Sequence, residues 1–144
     1  MVEKLQLYTS QDLADIDLLM HELSPTGFCN ESILDNVLND DNSHAYVIRD
    51  DGHIVAAGTL CIVHSLEFTN AVIESVVVSS NHRGQGIGRV LIQHMIDEAK
   101  QMNVHSIHLT SNPKRVAANK LYQNLGFVKY ETNCYHLDIK EENF

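Results

Sequence analysis

Apolar positions fall along this chain with two different periods. Leu13, Ile16, Leu19, Met20 and Leu23 recur every three to four residues, the spacing of one helical face. Thr9 with Asp12 three residues later supplies a helix-start signal, and Ser24-Pro25-Thr26-Gly27 breaks the helix. A weaker helix is predicted over 32–39, where Ile33, Val37 and Leu38 are apolar. Strict alternation predicts a first strand over 4–8. Two further strands, 45–49 and 54–63, flank Asp50-Asp51-Gly52, whose Asp-Gly pair is a strong hairpin signal. The next strand is predicted over 70–79. Leu91, Ile92, Met95, Ile96, Ala99 and Met102 then mark a long amphipathic helix over 86–102, with Asn103 as its C-terminal residue. A short strand follows over 106–110. Asn112-Pro113 reads as an N-cap and a first-turn proline for a helix running to Leu125, before Gly126. Two closing strands are predicted over 128–130 and 134–139.

The order β-α-α-β-β-β-α-β-α-β-β, a hairpin meander followed by a β-α-β crossover, predicts an α/β protein with a mixed sheet and helices on both faces. The strand entering the loop at residue 79 and the strand over 106–110 are expected to be parallel neighbours. A cleft where such neighbours diverge is a natural ligand site. No repeat or linker interrupts the chain, so 1–144 is expected to form one domain.

Composition narrows the class. No apolar run approaches the ~20 residues of a membrane span, and Met1-Val2-Glu3-Lys4 lacks the basic-then-apolar pattern of a secretory signal, so a cytoplasmic protein without a membrane partner is expected. Cys29, Cys61 and Cys134 are widely spaced and read as reduced structural thiols. The net charge of −9 resides in residues 1–60, where eleven acids face two bases. That balance argues against nucleic-acid binding and favours a cationic substrate, whereas Arg83, Arg89, Lys114, Arg115 and Lys120 leave the second half better suited to an anion. Nine histidines raise the question of a metal. His105 and His108, three apart on a strand, point to opposite faces, and no metal site is expected.

The chemistry concentrates in Val76-Val77-Val78-Ser79-Ser80-Asn81-His82-Arg83-Gly84-Gln85-Gly86-Ile87-Gly88: an apolar strand, a polar loop with alternating glycines, then a helix. Several backbone N–H groups converging at a helix N-terminus form a receptor for phosphate oxygens. No lysine follows Gly88, so the nucleotide P-loop pattern is absent. The G-x-G-x-G spacing and the Thr110-Ser111-Asn112 ending of the next strand also fit a dinucleotide fingerprint poorly.

Arg83-Gly84-Gln85-Gly86-Ile87-Gly88 instead resembles the R/Q-x-x-G-x-G/A loop of the GNAT (Gcn5-related N-acetyltransferase) superfamily. Ile73-Glu74-Ser75-Val76-Val77-Val78 resembles the strand leading into that loop, and Ala118-Asn119-Lys120-Leu121-Tyr122-Gln123-Asn124-Leu125-Gly126-Phe127 resembles the family's A-x-x-x-Y-x-x-x-G-F signature. The element order is also similar, so the likeness covers nearly the whole chain.

The resemblance implies acetyl-CoA as co-substrate, an amine acceptor and, as for many relatives, a homodimer. It assigns the pyrophosphate to the amides of Arg83, Gly84, Gln85, Gly86, Ile87 and Gly88, and the pantetheine arm to the strand Val76, Val77 and Val78, with Val76 and Val78 pairing through their backbones. Asn119 is an expected contact to the CoA arm, and Asn112 combines capping with a second such contact. Tyr122 faces the thioester sulfur in the family and would act as general acid, or else be a core aromatic on its helix. Glu74, the one acid in an otherwise uncharged strand, is the expected base for the acceptor amine, against a purely structural ion pair. The expected activity is direct acetyl transfer to a primary amine of a small molecule; a protein or peptide acceptor, or a CoA-binding sensor without turnover, are the alternatives.

Overall fold

The computed structural model describes residues 1–140. Contacts divide the chain into two compact units, Met1–Asn112 and a second beginning at Pro113. The first holds, in chain order, β1 (Val2–Lys4), α1 (Ser10–Leu23), α2 (Glu31–Leu38), β2 (Ser43–Asp50), β3 (His53–His64), β4 (Thr69–Val78), a 3₁₀ turn (Ser80–His82), α3 (Ile87–Gln101) and β5 (Ile107–His108). The strands form one sheet in the order β1-β2-β3-β4-β5, with every neighbouring pair antiparallel except β4 and β5, which are parallel. This is the mixed sheet the element order predicts.

Local chemistry explains most elements. Thr9 and Asp12 close a reciprocal capping box on α1, each side chain accepting from the other's backbone N–H at 3.1 Å. Asp51 (φ 51°) and Gly52 (φ 80°) make the paired left-handed turn that a two-residue hairpin requires. Asn103 ends α3 at φ 59°, as its position implies.

The sheet buries both faces. Ile16 and Leu19 of α1 and Leu34 of α2 pack with Val47, Ile54, Ala57 and Val77. Tyr46, adjacent to Val47 and so on the opposite face, meets His94 of α3 edge-on at 5.2 Å. Leu91, Ile92, Met95 and Ala99 line the buried stripe of α3. A Cβ on Gly58 would lie 3.2 Å from Val76 Cγ2 and 3.3 Å from Met95 Sδ, so α3 sits close against the sheet there.

Two buried carboxylates fasten α1 to the β2–β3 hairpin. Asp12 accepts from both terminal nitrogens of Arg49 (2.7 and 3.2 Å), and Arg49 also pairs with Glu3. Asp15 accepts from the Ile54 N–H (3.0 Å) and the Gln11 amide (2.8 Å), with His53 Nδ1 3.2 Å away. The Arg49 hydrogen bond holds Asp12 below the usual carboxylate range. Burial pushes Asp15 up, but its three partners outweigh that and hold it low as well.

Some predicted elements differ. β1 lies earlier than 4–8, because that alternation has only one inward residue: Leu5 is buried while Leu7 is 88% exposed. β5 pairs only two residues. The second unit contains α4 (Val116–Asn124), which starts later than Asn112-Pro113 predicts. Its N-cap is Arg115, at a non-helical ψ of 70°, and no side chain caps it. The strands predicted over 128–130 and 134–139 do not form: no β-ladder occurs among the described residues beyond β5. Val128, Tyr130, Tyr135, Leu137 and Ile139 are all exposed, so this alternation has neither a face to bury nor a ladder to join.

Candidate active site

The strand that leads into the glycine loop changes phase on the way. β3 pairs Ala57 with Val77 and Thr59 with Glu74, so Ser75 and Val76 together stand opposite Gly58. This is a β-bulge, and Ser75 occupies its left-handed position at φ 56°. Before the bulge, odd-numbered residues face β5: His105 N–H donates to Thr69 O (2.8 Å) and Ala71 N–H to Ser106 O (2.9 Å). After it the parity inverts, since Ser79 N–H donates to Val55 O on the β3 side at 2.8 Å. Alternation then turns the backbone of Val77 toward β3 and the backbones of Val76 and Val78 toward the opposite edge. β5 does not occupy that edge, because its pairing with β4 ends at Val72↔His108. Two parallel strands thus separate where the backbone presents fresh hydrogen-bonding groups. Val77, grouped with its neighbours from sequence, buries its side chain at 3% exposure and serves the core.

The glycine loop, Arg83–Gly88, follows β4 after the four-residue connection Ser79–His82. Ser79 starts the 3₁₀ turn, and His82 N–H returns to Ser79 O at 2.9 Å. Arg83 Nε donates to Val78 O at 3.3 Å, so this side chain holds the loop against the strand end. Gly84 (φ 78°) and Gly86 (φ 79°) are left-handed, conformations costing an L-residue about 1–2 kcal/mol. A Cβ on either would meet nothing within 4 Å, so their backbones stand open rather than packed. Gly86 is the N-cap of α3 and brings no capping side chain, and its carbonyl accepts the first helical bond from Val90 at 3.1 Å. The first-turn amides, including those of Ile87 and Gly88, therefore keep the unsatisfied donors and positive dipole end that suit phosphate oxygens. Arg83, Gly84, Gln85 and Gly86 are exposed around them. These features fit the pyrophosphate of an acyl-CoA.

Three further contacts fix the loop, none of which sequence reasoning found. Glu22 of α1 takes the Ser80 N–H on Oε2 and the Ser80 hydroxyl on Oε1, both at 3.0 Å. Asp50, at the end of β2, pairs with His82 Nε2 at 2.9 Å. The partners of the first contact are 58 residues apart, and nothing local in the sequence signals it.

Glu74 lies opposite Thr59 just before the bulge and is exposed. In solvent its charge carries no burial cost, and the carboxylate is accessible. His105 stacks on Phe68 with centroids 4.1 Å apart, and His108 Nε2 lies 2.9 Å from Ser106 Oγ. No group of His, Cys, Asp and Glu able to hold a metal occurs among the described residues. Asn112 is exposed at the end of the first unit. Two surface cavities lie elsewhere: one of about 630 Å³ along the outer side of α3 at Arg89, Val90 and Gln93, and one of about 290 Å³ near Lys4, Asp40 and His44.

In the second unit Tyr122 is buried, and Asn119, one turn before it, is half-buried. Burial pushes the Tyr122 phenol up, while Arg115 pulls it partly back. The end of α4 accounts for the rest of the signature. Phe127 N–H donates to Tyr122 O (3.0 Å) and Gly126 N–H to Gln123 O (3.1 Å), with Gly126 at φ 101°. This is a Schellman motif, and its usual apolar contact is the edge-on pair of Tyr122 and Phe127, 6.0 Å apart.

A mixed sheet whose parallel neighbours β4 and β5 separate beside a glycine-loop anion receptor defines a class of α/β fold that binds phosphate-bearing ligands. The chain belongs to the acetyltransferase (GNAT) family, whose model matches residues 8–127. It is 35% identical over 57 residues to the [ribosomal protein bS18]-alanine N-acetyltransferase of Escherichia coli, covering 40% of this chain and 38% of that protein. Over 61 residues it is 38% identical to the L-amino acid N-acyltransferase MnaT of Escherichia coli, covering 42% of this chain and 36% of the relative. The chain thus spans well under half the length of these curated relatives. The structure of glucosamine-6-phosphate N-acetyltransferase from Arabidopsis thaliana superposes with a TM-score of 0.77 at 21% identity, covering 95% of this chain and 98% of that one. That likeness speaks to the fold.

Proposed function

We propose that this protein transfers the acetyl group of acetyl-CoA to a primary amine by direct attack, the acceptor being a small molecule of the amine, amino-acid or aminosugar type. The observation that carries the reading is the bulge at Ser75, which turns the backbones of Val76 and Val78 outward immediately before the glycine loop. The amide groups of a pantetheine arm need such main-chain partners, and an open strand edge offers them. Loop amides from Arg83 to Gly88 receive the pyrophosphate. Asn112 and Asn119 belong to the same proposal as contacts to the CoA arm.

The chemistry then divides among few groups. Arg83 occupies the Val78 carbonyl, which leaves the Val78 N–H as the strand-end donor for the thioester oxygen, where negative charge develops during attack. An alkyl amine of pKa about 10.4 is protonated at pH 7, and freeing its lone pair costs about 4–5 kcal/mol. Glu74 accepts that proton, directly or through water, and its exposure keeps it in contact with solvent for release. Tyr122, kept protonated by its raised pKa, donates to the departing thiolate.

A protein or peptide amine is the second reading, supported by the likeness to a ribosomal-protein N-acetyltransferase, as the amino-acid acyltransferase likeness supports the first. A cytoplasmic location and a homodimer form part of the proposal and are tested by fractionation and sedimentation velocity. The deciding experiment is thiol release from acetyl-CoA against panels of amines, amino acids, aminosugars and peptides. Turnover with free amines supports the first reading and turnover with peptides alone the second. Tight acetyl-CoA binding without thiol release from any panel would leave a CoA sensor.

A further inference from the structure

We infer that Glu22 is a positioning residue for the glycine loop: from the last turn of α1 it clasps Ser80 with both carboxylate oxygens and so sets the direction of the amides that receive the pyrophosphate. The inference rests on the acetyl-CoA reading above and adds to it a residue from outside the loop. Both contacts are 3.0 Å, one from the Ser80 N–H and one from its hydroxyl, and they come from a helix 58 residues away in sequence. The turn they grip, Ser80–His82, is the only structured step between the end of β4 and Arg83. At its far end the His82–Asp50 pair, at 2.9 Å, ties the same turn to the β2–β3 hairpin. Two external carboxylates thus hold a three-residue turn at both ends, while Gly84 and Gly86 beyond it have no packing of their own.

The charge argues that the clasp serves geometry. A carboxylate beside an anion receptor repels the ligand's phosphates, so its placement costs affinity by simple electrostatics. That cost is offset when the same carboxylate pre-organises amides that would otherwise lose loop entropy on binding. Glu22 also stands two residues before the Ser24-Pro25-Thr26-Gly27 break that begins the α1–α2 connection. A shift of α1 at this end would therefore reach the donor loop through one residue.

Electrostatics and positioning predict opposite results for the same substitutions. Glu22→Ala removes clasp and charge together. Glu22→Gln removes only the charge, since its amide oxygen still accepts from the Ser80 N–H and its NH₂ group donates to the rotatable Ser80 hydroxyl. The test is isothermal titration of the whole protein with acetyl-CoA, together with the unliganded melting temperature and the ¹⁵N shifts of the Gly84, Gly86 and Gly88 amides. Positioning predicts that Glu22→Ala weakens acetyl-CoA about tenfold, the equivalent of the low end for one charge-assisted hydrogen bond. The melting temperature should change little and the three glycine amides should shift. Glu22→Gln should restore the affinity, and Ser80→Ala, which keeps the backbone contact, should lose about threefold. Equal or tighter binding by Glu22→Ala, or a lowered melting temperature without a change in affinity, would overturn the inference alone. Failure of the wild-type protein to bind acetyl-CoA would overturn the donor reading and this inference with it.

Discussion

The two glycine-bearing signatures of this chain look alike as sequence and differ as structure. In the loop after β4, Gly84 and Gly86 adopt left-handed backbones, and no side chain caps the helix they open. In the segment after Tyr122, Gly126 is equally left-handed, but its N–H and that of Phe127 are consumed in ending α4. One set of glycines leaves backbone donors unsatisfied, and the other satisfies them locally. Open donors point to a ligand, closed ones to a helix terminus. Of the Tyr-x-x-x-Gly-Phe pattern, the proposed chemistry uses the Tyr122 hydroxyl, which already accepts a hydrogen bond from Arg115.

Substitutions separate the two regions, and the largest effect belongs to chemistry. Tyr122→Phe keeps the ring against Phe127 and removes the proton. In an assay limited by the chemical step, kcat should fall by about 100-fold with acetyl-CoA affinity nearly unchanged. An unchanged kcat would reduce Tyr122 to a core aromatic. Gly86→Ala strains an open backbone and redirects the amides, so acetyl-CoA affinity measured by titration should fall about 5–30-fold, the equivalent of about 1–2 kcal/mol. Gly126→Ala imposes comparable strain on a closed one. It should cost about 1–2 kcal/mol of stability in urea unfolding and leave acetyl-CoA affinity alone. A loss of affinity from Gly126→Ala would erase the distinction between the two signatures.

Smaller effects follow from the carboxylates. Glu74→Gln should shift the low-pH limb of kcat/KM for the acceptor, and an identical profile counts against its role as base. Asp12 and Asp15 have folded pKa values below their unfolded value of about 3.9, so the folded state binds fewer protons in that range. Their stabilisation is present in full above pH ~4 and is lost as pH falls through the folded values. Urea unfolding should show a plateau down to pH ~5 and a decline below pH ~4 that Asp15→Asn makes shallower.

What was legible in the sequence was whatever neighbouring residues decide. The Thr9–Asp12 capping box, the Asp51-Gly52 turn and the glycine loop each carry their cause within a few residues. The lengths of β1 and β5, the absence of the two closing strands and the late start of α4 depend on partners, which an alternating pattern does not specify. The bulge left a trace: the alternation of Ala71 and Ile73 breaks at Glu74-Ser75 and resumes as an unbroken Val76-Val77-Val78. The Glu22–Ser80 clasp left no trace, because it joins residues whose types are common on any surface.

The central claim is that the phase change at Ser75 turns Val76 and Val78, but not Val77, toward the donor. Amide hydrogen exchange resolved by NMR, with and without saturating acetyl-CoA, tests it most directly. Exchange at Val76, Val78, Gly84, Gly86 and Gly88 should slow on binding, while Val77, already facing β3, should stay as it was. Protection confined to Val90 and Gln93 along the outer cavity of α3, with Val76 and Val78 unaltered, would contradict the account.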